Sequence, residues 1–212
     1  MYLSRIQIDT TNPEAIHDLS HLGAYHNWVE SSFPEDHQPH SDDPRVRHLW
    51  RIDKLNNKQY LLITSPNKPD INKLSKYGIK ETAQTKSYDN FIDSIKDGQL
   101  AKFRLTANPS YQTNNKVYPH VSIKYQTKWF LKRTQKHGFE LLTDYQDNPQ
   151  MSIINRSWPV LYHNHHKITL AQTTYEGILK ITNAKLFKNA IKNGIGREKA
   201  YGMGMITIIP LK

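Results

Sequence analysis

The 212-residue sequence contains no cysteine, which excludes disulfides and thiolate-held metal sites and fits a reducing compartment such as the cytoplasm. It also has no run of about 20 apolar residues, the length a helix needs to cross a bilayer. Its opening residues, Met1 to Glu14, show no basic segment leading into a long apolar stretch, so neither a membrane span nor a standard export signal is expected. Acidic residues are in deficit, 19 Asp and Glu against 29 Lys and Arg, for a formal net charge of +10. That balance says nothing about the fold but favours a polyanion as partner. Phosphate contacts to nucleic acid are the first reading, with anionic membranes or plain solubility as alternatives. Glycine is sparse too, and four of the nine glycines fall between positions 194 and 204.

The sequence has 37% apolar and 10% aromatic residues, enough for a folded core. Alternation over Tyr2–Ile8 predicts a first strand. Asn12-Pro13 signals a helix start, continued by Ile16, Leu19, Leu22 and Trp28, with Gly23 as an interruption or end. Pro34–Pro44 reads as a loop. Val46–Asp53 and Gln59–Ser65 form a hairpin through Asn56-Asn57, and a helical or irregular piece at Asp70–Tyr77 precedes a polar strand at Lys80–Ser87. The polar segment Tyr88–Gly98 marks a junction, giving domains 1–93 and 97–212. The second half predicts strand Gln99–Ala107, helix Tyr125–His137, strands Phe139–Tyr145, Met151–Tyr162 and Lys167–Thr182, helix Ala184–Asn193 and strand Met203–Pro210. The expectation is an α+β protein of tandem ferredoxin-like (RRM-like) domains, each an antiparallel sheet with helices on one face. An ordinary RRM is disfavoured, because no RNP1-like segment occurs.

Several clusters carry possible chemistry. Gly194, Gly196, Gly202 and Gly204 flank Arg197 and Lys199. A helix cap explains Gly194. For the other three, a loop that lets a phosphate chain approach is the better account, since glycine within a strand weakens it. The segment lies after a helix and lacks a G-K-[ST] ending, so it is neither a dinucleotide fingerprint nor a P-loop. Lys124, Lys128, Lys132 and Lys136 recur every four residues opposite Trp129 and Phe130, a basic stripe that is either a solvated face or an RNA-backbone contact. The segments His37-Gln38-Pro39-His40 and His163-Asn164-His165-His166 are weak metal candidates, without cysteine or H-E-x-x-H. No metal or cofactor is expected.

Taken in order, MYLSRIQI at the start, His26 followed by Phe33-Pro34, Leu49-Trp50-Arg51, Phe103-Arg104-Leu105-Thr106-Ala107-Asn108-Pro109, Tyr175-Glu176-Gly177-Ile178-Leu179 and the glycine loop span nearly the whole chain. This series resembles the CasE-type repeat-processing CRISPR endoribonucleases of type I-E systems. The resemblance implies tandem ferredoxin-like domains and recognition of the CRISPR repeat RNA hairpin. It also implies one metal-independent cut at the base of the stem, and retention of the product as a subunit of the Cascade surveillance complex. It places the catalytic histidine at His26. The family commonly has a tyrosine three residues earlier, where this chain has Gly23. The tyrosine here is Tyr25, which on a helix points about 100° away from His26 and assists only if the backbone is not helical there. Ser31 replaces a lysine found in some relatives, and Thr106 a frequent arginine. A basic hairpin of the second domain enters the RNA stem in relatives, which implies stem contacts for Arg156, His163, His165, His166 and Lys167. Arg104 and the glycine loop are further RNA-binding candidates.

A ribose 2′-hydroxyl can attack its own phosphate, so the protein must align the two, move protons and steady the transition state. An imidazole titrating near neutrality suits this. His26 either accepts the 2′-hydroxyl proton or donates one to the 5′-oxygen. The competing reading is a non-catalytic RNA-binding subunit of a CRISPR ribonucleoprotein. In either case the chain is expected to be cytoplasmic, off the membrane, and monomeric when alone.

Overall fold

A computed structural model describes residues 1–37, 47–163 and 166–211. The chain divides into two compact units, Met1–Phe91 with Ala200–Gly202, and Ile92–Lys199 with Met203–Lys212. Assignment of three residues near the C-terminus to the first unit departs from the contiguous domains expected from sequence, and contacts described below explain it.

In the first unit β1 (Tyr2–Gln7), α1 (Pro13–Asp18), α2 (Leu22–Ser31), β2 (Leu49–Leu55), β3 (Lys58–Ser65), α3 (Ile71–Leu74) and β4 (Gln84–Ser87) follow in order, before the short α4 (Asp89–Asp93) in which the division falls. The strands form an antiparallel sheet in the order β2-β3-β1-β4, with Tyr2 opposite Ser65 on one side and Ser87 on the other. This is the ferredoxin-like arrangement. Alternation in β1 buries Ser4 and Ile6, and Asn56 and Asn57, at φ 50° and 60°, make the left-handed turn that matches strand twist in a tight hairpin.

The single helix expected after Asn12-Pro13 is two helices, and the break lies before Gly23, not at it. Asn12 caps α1 by accepting from the Glu14 N–H at 2.9 Å. His21 then adopts an extended backbone, and its Nδ1 accepts from the Ala24 N–H at 3.2 Å, starting α2. A Cβ on Gly23 would lie 3.0 Å from that Nδ1, so the glycine makes room for the cap inside the helix. Trp28, Val29 and, just beyond α2, Phe33 pack with Ile6, Trp50, Leu61, Ile63, Leu74 and Tyr77 as the core. The Trp28 indole N–H donates to the Leu74 carbonyl at 3.0 Å, satisfying the one polar atom it takes inside.

The second unit contains β5 (Leu100–Ala107), β6 (Ser110–Thr113), β7 (Lys116–Pro119), α5 (Ile123–Thr134), β8 (Phe139–Leu141), β9 (Met151–Ser157), β10 (Val160–His163), β11 (His166–Thr169), β12 (Gln172–Ile181), α6 (Ala184–Asn193) and β13 (Ile206–Pro210). Its sheet runs β13-β5-β12-β8, with β9 also paired to β12. β8 covers Leu179–Ile181 and β9 covers Gln172–Gly177, so the two share one sheet position and the ferredoxin-like order recurs. Phe103, Phe130, Phe139, Tyr175 and Phe187 fill the interior.

Two hairpins are added. One, β6/β7, was not expected from sequence; it turns at Asn114 and Asn115, at φ 47° and 58°. The other, β10/β11, is separate from the long strands predicted on either side of it. Pro159 offers no N–H to a ladder, and the Leu170 N–H donates to the Pro159 carbonyl at 3.0 Å, closing the base of that hairpin. Among the described residues no helix is long and apolar enough to cross a membrane.

Candidate active site and nucleic-acid interface

His26 occupies the middle of α2. Its side chain is 22% exposed, and Nδ1 faces Oε1 of Glu30, one turn along, at 3.7 Å. Nδ1 itself is sealed from solvent. The exposed part of the ring therefore does not include Nδ1.

Beside it stands a tyrosine, but not the one expected. Tyr201 belongs to the first unit and meets the His26 ring edge to face, centroids 6.0 Å apart. Tyr25 is not brought to the imidazole. Its ring packs on Trp50 at 5.8 Å and Trp28 at 6.3 Å, and burial pushes its hydroxyl pKa up. The reason is helical geometry, because α2 is unbroken across Leu22–Ser31 and successive side chains on such a helix diverge by about 100°.

Behind His26 lies a run of alternating acids and imidazole. Oε2 of Glu30 is 3.2 Å from Nδ1 of His48. Nε2 of His48 is 2.9 Å from Oδ2 of Asp36, whose other oxygen accepts from the Asn67 amide at 2.6 Å. The His48 side chain is 1% exposed and stacked on Phe33 with centroids 4.0 Å apart. Burial alone would strip its proton, but hydrogen bonds to Glu30 and Asp36 and their charges outweigh this and raise its pKa. Geometry agrees: ionised carboxylates only accept, so a ring with a carboxylate at each nitrogen donates from both and is a cation. Sequence reasoning missed Glu30, Asp36 and His48. The i, i+4 spacing of His26 and Glu30 was the available signal.

The glycine loop serves the protein's own packing at Gly196, Gly202 and Gly204. Gly194, Gly196, Gly202 and Gly204 all have positive φ, all precede β13, and Gly194, Gly202 and Gly204 are buried. A Cβ on Gly202 would lie 2.6 Å from Cζ3 of Trp50, whose Nε1 donates to the Ala200 carbonyl at 3.1 Å. These contacts hold Ala200–Gly202 in the first unit and set Tyr201 beside His26. Lys199 opens the same turn, Lys199–Tyr201.

In the second unit, Arg197 is exposed and donates Nη2 to Gln112 Oε1 at 2.7 Å. With Tyr111, His120, Tyr125, Lys128, Lys132 and Arg133 it lines a cavity of about 570 Å³. Tyr111 lies 4.9 Å from His120, which stacks on Tyr125 at 5.8 Å and 17°. Burial, then Arg133 and Lys132, lower the His120 pKa, so this ring is a neutral stacking face among cations. Aromatic faces for bases beside cations for phosphates are the ingredients of a single-strand or loop RNA site. Half of the expected lysine stripe, Lys128 and Lys132, belongs here; the β6/β7 contribution was not foreseen.

Other expected RNA contacts are distributed differently. Arg104 is opposite Glu176 across the sheet and paired with it, so its charge is neutralised locally. Arg156 donates Nε to Gln126 Oε1 at 2.9 Å and Nη2 to the Val121 carbonyl, and its guanidinium lies 5.1 Å from the Trp158 ring centre; it ties β9 to the approach of α5. Lys167 is exposed on β11. His163 and His166 are backbone register partners at the end of the β10/β11 ladder, while His165, like His40, lies outside the described residues. Among the described residues no group of three or more His, Cys, Asp or Glu is arranged to hold a metal ion.

Residues 1–210 match a family described as CRISPR associated protein. The chain is 22% identical, over 99% of its length and 100% of the relative, to the CRISPR-associated endoribonuclease Cse3 of Thermus thermophilus. A structure of Cse3 bound to a 19-nucleotide RNA superposes with a TM-score of 0.80 at 20% identity, over 99% of this chain and 100% of that one. A chain of a CRISPR RNA-guided surveillance complex, pre-nicking, superposes at 0.69 with 21% identity over 100% of both.

Proposed function

Because this chain belongs to the CRISPR-associated protein family over residues 1–210, we propose that it is an endoribonuclease that cuts CRISPR repeat precursor RNA at the base of the repeat hairpin by metal-independent transesterification. It works in the cytoplasm, is a monomer when alone, and stays bound to the guide RNA product as a Cascade subunit. The observation that carries the reading is the partly exposed His26 ring, with Nδ1 sealed from solvent 3.7 Å from Glu30 and Tyr201 at its side. The naming of the Thermus thermophilus relative as an endoribonuclease supports the reaction class. The surveillance-complex chain supports the assembly.

The nucleophile belongs to the substrate, so no metal-bound hydroxide is required. The 2′-oxygen bonds to the adjacent phosphorus, the bond to the 5′-oxygen breaks, and a 2′,3′-cyclic phosphate and a 5′-hydroxyl result. One proton leaves the 2′-hydroxyl and one reaches the 5′-oxygen; His26 carries one of these transfers through Nε2. The cationic, aromatic cavity around Arg197 and Lys132 holds RNA by stacking and phosphate contacts, and Lys167 on the β10/β11 hairpin adds a further cation.

The test is incubation of the chain with cognate repeat RNA in EDTA, followed by analysis of product ends. Cutting should persist and leave a cyclic or 3′-phosphate with a 5′-hydroxyl, and His26→Ala should abolish it with hairpin affinity nearly intact. Loss of cutting in chelator overturns metal independence. Binding without any cutting leaves only an RNA-binding subunit.

A further inference from the structure

We propose that Glu30 is a positioning residue for His26, holding its Nδ1 edge so that Nε2 is the nitrogen presented to RNA, and that buried His48 shares this carboxylate and limits its pull on the His26 proton. The inference rests on the catalytic reading of His26 above. Its basis is that Glu30 is divided between two imidazoles, with Oε1 3.7 Å from His26 Nδ1 and Oε2 3.2 Å from His48 Nδ1.

Three features make this more than a surface ion pair. The His26 Nδ1 atom is sealed from solvent, so the carboxylate meets it on the protein side and the exposed part of the ring lies elsewhere. The separation of 3.7 Å exceeds a hydrogen bond, as catalytic pairs often do before substrate tightens them. And Glu30 is a poor trap for a proton from His26, because it already faces a second cation. Without His48, a partly buried carboxylate would favour a permanently protonated His26, useless for accepting a proton at neutral pH. With His48 anchored by Asp36 at 2.9 Å, and Asp36 by Asn67 at 2.6 Å, Glu30 orients the ring without fixing its charge. Tyr201 faces the same ring, and on β2 Arg51 is engaged by Asp53 at 2.7 Å.

The proposal predicts opposite responses to two changes. Glu30→Gln keeps the shape and removes the charge, so the midpoint of the His26 ring titration, followed by NMR on the full chain without RNA, should fall by about one pH unit. The pH profile of single-turnover cleavage should move with it, while hairpin affinity holds. His48→Gln removes the competing cation and should move the His26 midpoint upward. A folded Glu30→Gln chain whose His26 midpoint is unchanged or raised overturns the proposal, as does a folded His48→Gln chain whose midpoint falls. If His48→Gln does not fold, Glu30→Gln alone decides. A merely structural role for Glu30 would lower the amount of folded chain but leave the titration where it was. Failure of the catalytic reading is separate: a His26→Ala chain that still cuts removes that reading, whereas an inert His26→Ala chain with an unmoved titration in Glu30→Gln removes only this one.

Discussion

Replacing Gly202 with alanine adds a single methyl group where two costs meet. The backbone there has φ 75°, a left-handed conformation that costs a residue bearing Cβ about 1–2 kcal/mol. The new carbon would also sit 2.6 Å from Cζ3 and 2.9 Å from Cη2 of Trp50. The indole cannot easily yield, being 1% exposed and tethered through Nε1 to the Ala200 carbonyl, and forcing an extra group into such packing costs about 1–3 kcal/mol. The expected loss is the sum, about 2–5 kcal/mol. Gly98→Ala supplies the control, because its φ is 79° but nothing lies within 4 Å of the added carbon; it should lose only the backbone part, about 1–2 kcal/mol. Urea unfolding followed by tryptophan fluorescence measures both. Trp50→Leu should shrink the penalty of Gly202→Ala toward the control value. Equal losses for Gly202→Ala and Gly98→Ala would refute the assignment of this glycine to indole packing. Because Tyr201 is the preceding residue, Gly202→Ala should also slow cleavage at temperatures where the chain stays folded.

The remaining expectations concern charge and the two tyrosines. Tyr25→Phe should cut repeat RNA at the parent rate, since its ring serves packing against Trp28 and Trp50; a large rate loss in a stably folded variant would restore Tyr25 to the chemistry. Lys128→Ala and Lys132→Ala should each weaken hairpin binding and reduce the slope of log affinity against log salt by about one, as read by filter binding across a salt series; unchanged slopes would remove the cavity from the RNA path. His48 has a folded pKa above its usual 6.5, so its contribution to stability is complete below 6.5 and is lost as pH rises through the higher folded value. The stability difference between the parent and His48→Gln, from urea midpoints, should therefore be largest in acid and shrink with rising pH. A difference that grows with pH would contradict a buried imidazolium.

How much of this was legible before folding differs by feature. Alternation in Tyr2–Ile8, the Asn56-Asn57 turn and the strand and helix spacing of the second half were enough for two antiparallel α+β units, because sheet faces and tight turns are written in near-neighbour pattern. The basic character of the chain was also readable, from charge. What escaped depends on contacts between residues far apart in sequence. Pattern could not show that His21, not Gly23, separates α1 from α2, nor that Tyr201 lies 175 residues beyond the histidine it accompanies. It could not pair Glu30 with both His26 and His48, or bring Arg197 beside Tyr111, His120 and Lys132. The packing role of the glycines escaped for the same reason: in the folded chain Trp50 and Trp129 stand against the positions that a Cβ would take at Gly202 and Gly196. Periodicity encodes which face of an element is buried, while the identity of what it is buried against is a property of three-dimensional packing alone.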